Sequence, residues 1–119
     1  MASTAPIASV SLIAVTPDGR QLPLQVEIDS PVRAPQGEWS CRVSLTGLER
    51  PLPPACGEDA LQALCLGLAL VAERLRAHQR GGGRLLFGEH GAAGTASSGE
   101  EWPLEAYFGW LGSLRAPAV

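Results

Sequence analysis

Residues 57–80 have the sequence GEDALQALCLGLALVAERLRAHQR, and this stretch decides the fold. Acidic residues begin it, arginines end it and three glycines follow, which is the pattern of an α-helix. The main apolar stripe at helical spacing is Leu61, Leu64, Cys65, Leu68, Ala72 and Leu75. A second flank makes residues 63–72 apolar on nearly every side. A helix on one sheet needs only one such stripe, so we expect a second neighbour.

The segments before this helix predict an antiparallel sheet. Residues 7–16, 22–29 and 39–46 alternate between apolar and polar side chains, as half-buried strands do. Thr16-Pro17-Asp18-Gly19 is a turn sequence, whereas the prolines of residues 50–54 exclude a central strand there. With a short strand at residues 84–87, we expect an antiparallel meander of three to four strands packed on the long helix.

The C-terminal third predicts a loop and then a short helix. Residues 88–101 are rich in Gly, Ala and Ser, so we expect a mobile loop. Pro103 suits the first turn of a helix whose apolar face holds Leu104, Tyr107, Phe108 and Leu111. Either this helix or a second copy of the chain covers the surplus flank of the long helix. Residues 1–119 are thus predicted to form a single α+β domain.

The composition limits the chemistry available. Net charge is −3 and the nine basic residues, all arginine, are scattered, so nothing predicts nucleic-acid binding. His78 falls in the polar last turn of the helix and His90 in the Gly-rich segment, and neither has a catalytic setting. The three cysteines lack the paired spacing of zinc ligands. We expect no enzyme activity, no catalytic residue, no metal and no cofactor.

The same sequence predicts a cytoplasmic protein. The first charged side chain is Asp18, so no basic region precedes an apolar one as in a signal peptide. The longest uncharged apolar stretch, residues 60–72, falls short of the ~20 residues that cross a bilayer. Cys41, Cys56 and Cys65 are an odd set that suits free thiols in a reducing compartment. We expect no membrane contact.

Two features are candidates for binding a protein partner. One is the polar face of the sheet, where Gln25, Glu27 and Arg42 stand out; the alternative is an ordinary solvated face. The other is the aromatic C-terminal segment with Tyr107 and Trp110; the alternative is a lid on the core. These five residues are the predicted partner-binding set.

Three motifs together resemble those of a family of small uncharacterised bacterial proteins. They are the G-x-W-x-C strand at residues 37–41, the G-x-D-x-x-Q-A-L helix start at 57–64 and the P-L-E-x-Y-F tail at 103–108. The resemblance covers most of residues 10–110, and the helix start is its most specific part. It supplies no catalytic residues. Arginine without lysine or asparagine also suits a GC-rich bacterial genome.

By analogy, this resemblance implies a protein that acts by binding another protein. We therefore expect a non-catalytic binding domain of the toxin-immunity or adaptor type, whose partner is a toxin or effector. The alternatives are a self-associating structural protein, as a homodimer, and a small-ligand binder that uses the groove between sheet and helix.

Overall fold

A computed structural model of the chain describes residues 6–49, 51–89 and 96–115, with side chains except at 89, 96–98 and 111–115. The elements in chain order are β1 (Pro6–Val15), β2 (Gln21–Asp29), β3 (Val32–Arg33), β4 (Trp39–Cys41), β5 (Val43–Thr46), β6 (Ala55–Gly57), α1 (Ala60–Arg80), β7 (Arg84–Glu89), β8 (Ala96–Glu101) and α2 (Leu104–Arg115). The fold is α+β, with one long helix and a short C-terminal helix, as predicted.

The strands form two antiparallel sheets rather than one meander. The larger has the order β5-β2-β1-β7-β8, and the smaller has the order β3-β4-β6. β1 and β2 make the predicted hairpin, closed by the turn in which the Gly19 amide donates to the Thr16 carbonyl. The expectation of three to four strands was wrong because alternation shows which face a strand buries, not which strand it pairs with.

The predicted third strand, residues 39–46, is divided between the two sheets. β4 pairs with β3 and β6, whereas β5 pairs with β2. Arg42 lies at the division, and its carbonyl accepts a hydrogen bond of 2.9 Å from the Asp29 amide. Cys41, Val43 and Leu45 are all buried, so the inward alternation continues through the division. The same apolar alternation therefore supplies buried side chains to both sheets.

Gly47 follows β5 at a close approach to the neighbouring strand. Its φ is 102°, in the region that side chains rarely adopt. A Cβ at this position would overlap the carbonyl oxygen of Pro23. Glycine is required here on both grounds.

α1 begins as predicted, but its buried face is rotated relative to the predicted stripe and shares Ala72 and Leu75 with it. The Asp59 carboxylate accepts from the Gln62 amide at 2.7 Å, and Gln62 Oε1 accepts from the Glu58 amide at 2.6 Å, which together cap the helix. The fully buried positions are Ala63, Gly67, Val71, Ala72 and Leu75. The predicted stripe was wrong at Leu61, which is 70% exposed. This face packs against the sheets because its small residues, Ala63, Gly67 and Ala72, let the helix approach them closely.

Gly67 marks a close approach of α1 to the strands. A Cβ built there would lie 3.0 Å from Cys41 Sγ and 3.2 Å from Val43 Cγ1. Since these side chains belong to β4 and β5, the helix packs on both sheets at the point where the strand is divided.

The segment after α1 is more ordered than expected. Gly88 and Glu89 belong to β7, and residues 96–101 form β8 rather than a loop; residues 90–95 lie outside the described chain. An ion pair of 2.8 Å between Arg84 and Glu101 links the two strands, and the Trp102 amide donates to the Leu85 carbonyl. Pairing with β7, rather than strand propensity, fixes β8.

Candidate functional site

An apolar groove lies between the larger sheet and the two helices. It has a volume of 240 Å³ and is open on one side. Ala8, Ser9 and Val10 of β1, Val26 and Ile28 of β2, Leu68 of α1, and Trp102, Tyr107 and Phe108 line it. Among these nine residues none is charged. The groove can therefore receive apolar groups but offers no ionic contact.

Aromatic side chains form one end of this groove. The rings of Trp102 and Tyr107 stack at 4.5 Å between centroids, and Phe108 meets Trp102 edge-on at 6.3 Å. Trp102 is buried, whereas Tyr107 is 48% exposed. Beyond the groove, Trp110 is 49% exposed and its Nε1 donates to the Tyr107 carbonyl. The buried Trp102 ring therefore packs against the exposed Tyr107 ring.

Arg76 holds α2, and with it Tyr107, against α1. Its Nε and one terminal nitrogen donate to the two carboxylate oxygens of Glu105 at 2.9 and 3.0 Å. The same terminal nitrogen donates to the Phe108 carbonyl at 2.8 Å. Hydrogen bonding to Arg76 lowers the pKa of the Glu105 carboxyl, and the same bond raises the pKa of Arg76. Two-point contact of this kind fixes orientation as well as position.

This pair predicts an acid-dependent loss of stability. The pKa of Glu105 is lowered in the folded state. Its contribution to the free energy of unfolding is therefore fully present above the ordinary pKa of 4.5, and it is lost as the pH falls through the lowered pKa. We expect the urea midpoint of the wild-type protein to fall more steeply from about pH 5 to pH 3 than that of Glu105→Gln.

The Arg76→Met background is the control for this measurement. Without the guanidinium, Glu105→Gln should no longer change the slope of urea midpoint against pH. An equal effect of Glu105→Gln in both backgrounds would show that Arg76 is not the cause.

The structure divides the predicted partner-binding set between opposite faces of the larger sheet. Gln25 and Glu27 are half-buried on the face opposite α1, which we call the outer face; Arg42 is exposed. There Ser11 Oγ donates to Gln25 Oε1 at 2.6 Å. Tyr107 lines the groove on the α1 side, with Trp110 beside it. The five residues do not form one surface.

The outer face is also less polar than its sequence pattern indicates. Ile13, Val15 and Leu86 form a second buried cluster there, apart from the main core. Ile13 is opposite Leu86 in the β1–β7 register. The outer face is therefore apolar at the centre of this sheet, because β1 is apolar on both faces between Leu12 and Val15.

His78, one of the predicted non-catalytic residues, makes a contact between two elements of the fold. His78 Nε2 lies 3.1 Å from the Arg84 carbonyl, joining the end of α1 to β7, and His90 falls outside the described residues. Burial raises the pKa of the Cys41 thiol. In the described ranges, no cluster of His, Cys, Asp or Glu could hold a metal ion. Neither described helix is long and apolar enough to cross a membrane.

Sequence reasoning missed most of the groove. Val10, Val26 and Ile28 are on the inward-facing side of their strands, as the alternation of apolar and polar residues predicts. That alternation cannot distinguish a residue covered by the core from one that lines an opening. The clustering of Trp102, Tyr107 and Phe108 in the sequence was the available signal. The structure adds that the three rings contact one another at the groove's end.

Comparison with known proteins gives a family but no activity. A family model described as a domain of unknown function, DUF6968, matches residues 12–97. The matched range includes the first two of the three motifs, and it confirms the expected resemblance to uncharacterised proteins. No curated protein and no solved structure matches the chain.

Proposed function

Because this chain belongs to the DUF6968 family, a domain of unknown function, we propose its role from its own surface: it is a non-catalytic protein-binding domain. The groove receives apolar side chains of a protein partner, and Tyr107 and Trp110 extend the contact beyond it. The observation that carries this proposal is an uncharged groove that ends in two stacked aromatic rings, of which Trp102 is buried and Tyr107 is half-exposed.

The groove's chemistry favours a protein partner over a small ligand. Its volume of 240 Å³ is below the roughly 300–1,000 Å³ of typical small-molecule sites. Such sites also use a few precisely placed polar groups to orient a ligand, whereas the side-chain polar groups among these lining residues are the hydroxyls of Ser9 and Tyr107 and the buried indole N–H of Trp102. Tyrosine and tryptophan are common among the residues that dominate protein interfaces.

A peptide-display experiment tests this proposal. We expect selection of a random peptide library on the wild-type protein to enrich sequences with large apolar or aromatic anchors. Binding of the enriched peptides should weaken about 30-fold in Tyr107→Ala, because truncation of an interface anchor costs that order of affinity. The matched control is Glu27→Ala on the outer face, which should bind normally.

Two outcomes would overturn the proposal. One is peptides that bind Tyr107→Ala as tightly as wild type but lose binding to Glu27→Ala, which would move the site to the outer face. The other is selection that yields no apolar consensus. Circular dichroism of both variants separates lost binding from lost folding.

Within this class, we propose a toxin-immunity or adaptor role in a bacterial cytoplasm, which the family resemblance favours. The neighbouring genes provide the test. A toxin or secretion-effector gene beside this one supports the immunity form, and its product should then bind the wild-type protein and not Tyr107→Ala. Failure of that product to bind the wild-type protein would contradict the immunity role, and binding through Glu27 would contradict the groove as its site.

A further inference from the structure

The N-terminal half of β1 has a strand on one side and, in the described chain, none on the other. β2 pairs with β1 along its length, whereas β7 pairs with it from Leu12 to Val15. Residues 6–9 are exposed. We call the side of residues 6–10 that faces away from β2 the open edge of β1. A strand edge of this kind presents main-chain groups that can pair with another chain.

The register shows that the main chain of Ser9 points towards the open edge. Hydrogen-bonded and non-hydrogen-bonded pairs alternate along an antiparallel ladder. The Thr16 amide donates to the Arg20 carbonyl at 2.8 Å, so the even-numbered residues on either side of Ser9 bond to β2. Pro23 agrees with this phase, because it has no amide to donate and is opposite Ile13. The N–H and C=O of Ser9 therefore face away from β2.

The open edge borders the apolar groove. Ala8, Ser9 and Val10 are all lining residues of this groove. The side chain of Ser9 belongs to the outer face, where Glu27 is opposite it in the register, so Ser9 borders the groove through its main chain. Since side chains alternate along a strand, an extended segment at the open edge would place every second side chain on the groove side.

We propose that an extended segment of the protein partner adds to the open edge of β1 as a further strand. This inference rests on the proposed function and states how the partner is held there. The main chain of Ser9 pairs with the segment, and alternate side chains of the segment enter the groove beside Tyr107. In recognition of this kind, main-chain hydrogen bonds supply affinity, and pockets for alternate side chains supply specificity.

The main chain at the open edge favours an extended segment over a helix. A helix satisfies its main-chain groups internally and has none to offer to Ser9. A second copy of β1 is also a poorer occupant. Paired about Ser9, it would bring its own Ala8 and Val10 to the groove, and these small side chains would leave part of the 240 Å³ volume empty. A partner segment with larger apolar side chains fills it.

The selected peptides provide the first test. We expect the peptides enriched by display to carry large apolar residues two apart, because side chains alternate along a strand. N-methylation of a peptide amide removes a main-chain donor. It should weaken binding about 10-fold at every second position, where the amide faces β1, and have little effect at the positions between.

A proline at the open edge provides the second test. Ser9→Pro removes an amide that takes no part in the β1–β2 ladder, and proline is tolerated where its missing amide would face solvent. This variant should bind the enriched peptides about 10-fold more weakly. Ser9→Ala is the matched control, because it loses the hydroxyl but keeps the amide, and it should bind as tightly as wild type. If Ser9→Pro fails to fold by circular dichroism, the N-methylation series on the wild-type protein decides.

The outcomes separate this inference from the proposed function. Selection that yields no peptide dependent on Tyr107 would overturn both. Peptides that depend on Tyr107 but bind Ser9→Pro as tightly as wild type would overturn the inference alone. So would anchors three and four residues apart, which indicate a bound helix. A dimer in light scattering that Ser9→Pro dissociates would also overturn it, by assigning the open edge to a second copy.

Discussion

The Gly47→Ala variant is expected to lose about 2–5 kcal/mol of unfolding free energy. Two penalties add up in this variant. The first is the conformational cost of alanine at a φ of 102°, which is about 1–2 kcal/mol. The overlap of its Cβ with the Pro23 carbonyl forces backbone shifts worth about 1–3 kcal/mol more. Urea denaturation followed by circular dichroism measures the sum.

Gly19→Ala separates these two penalties. Gly19 has a φ of 92°, close to that of Gly47, but a Cβ there meets nothing within 4 Å. This variant should therefore show only the conformational cost, about 1–2 kcal/mol. Equal losses in the two variants would mean that the Gly47–Pro23 approach contributes nothing.

Leu75→Ala should destabilise the protein by about 2–5 kcal/mol, because it leaves a cavity in the core. Leu75 is 0% exposed on the inner side of α1. Leu61→Ala in the same helix is the matched control, and urea denaturation of both variants is the measurement.

The control should change the free energy of unfolding by less than about 0.5 kcal/mol, since surface substitutions rarely do more. A large loss in Leu61→Ala, or a small one in Leu75→Ala, would show that α1 is rotated relative to the sheets. The pair therefore tests the orientation of α1 relative to the sheets.

Local sequence signals predicted the parts of the fold that depend on local chemistry. The alternation from Leu22 to Ile28 predicted β2, and the acidic residues Glu58 and Asp59 predicted the start of α1, because a helix N-terminus favours negative charge. The same signals failed for the rotation of α1. Ala63 and Gly67 score as weakly apolar, and only the strands they approach show that their small size places them innermost.

Features that depend on partners distant in the sequence could not be predicted in this way. β8 has the sequence ASSGEE, without the β-branched and aromatic residues of typical strands, and its pairing with β7 defines it. The groove needed the relative positions of β1, β2 and both helices. Of the predicted binding set, Tyr107 lines this groove and Trp110 contacts Tyr107, whereas Gln25 and Glu27 lie on the opposite face.

The division of residues 39–46 between two sheets has a consequence for cooperativity. The strands of the smaller sheet are two and three residues long, too short to persist alone. Because β4 continues directly through Arg42 into β5, its register is inherited from the larger sheet. A residue inserted at Arg42 would turn Trp39 and Cys41 outward together. The smaller sheet therefore depends on the larger one for its order. It is positioned when β5 pairs with β2, and it should lose its order when β5 detaches.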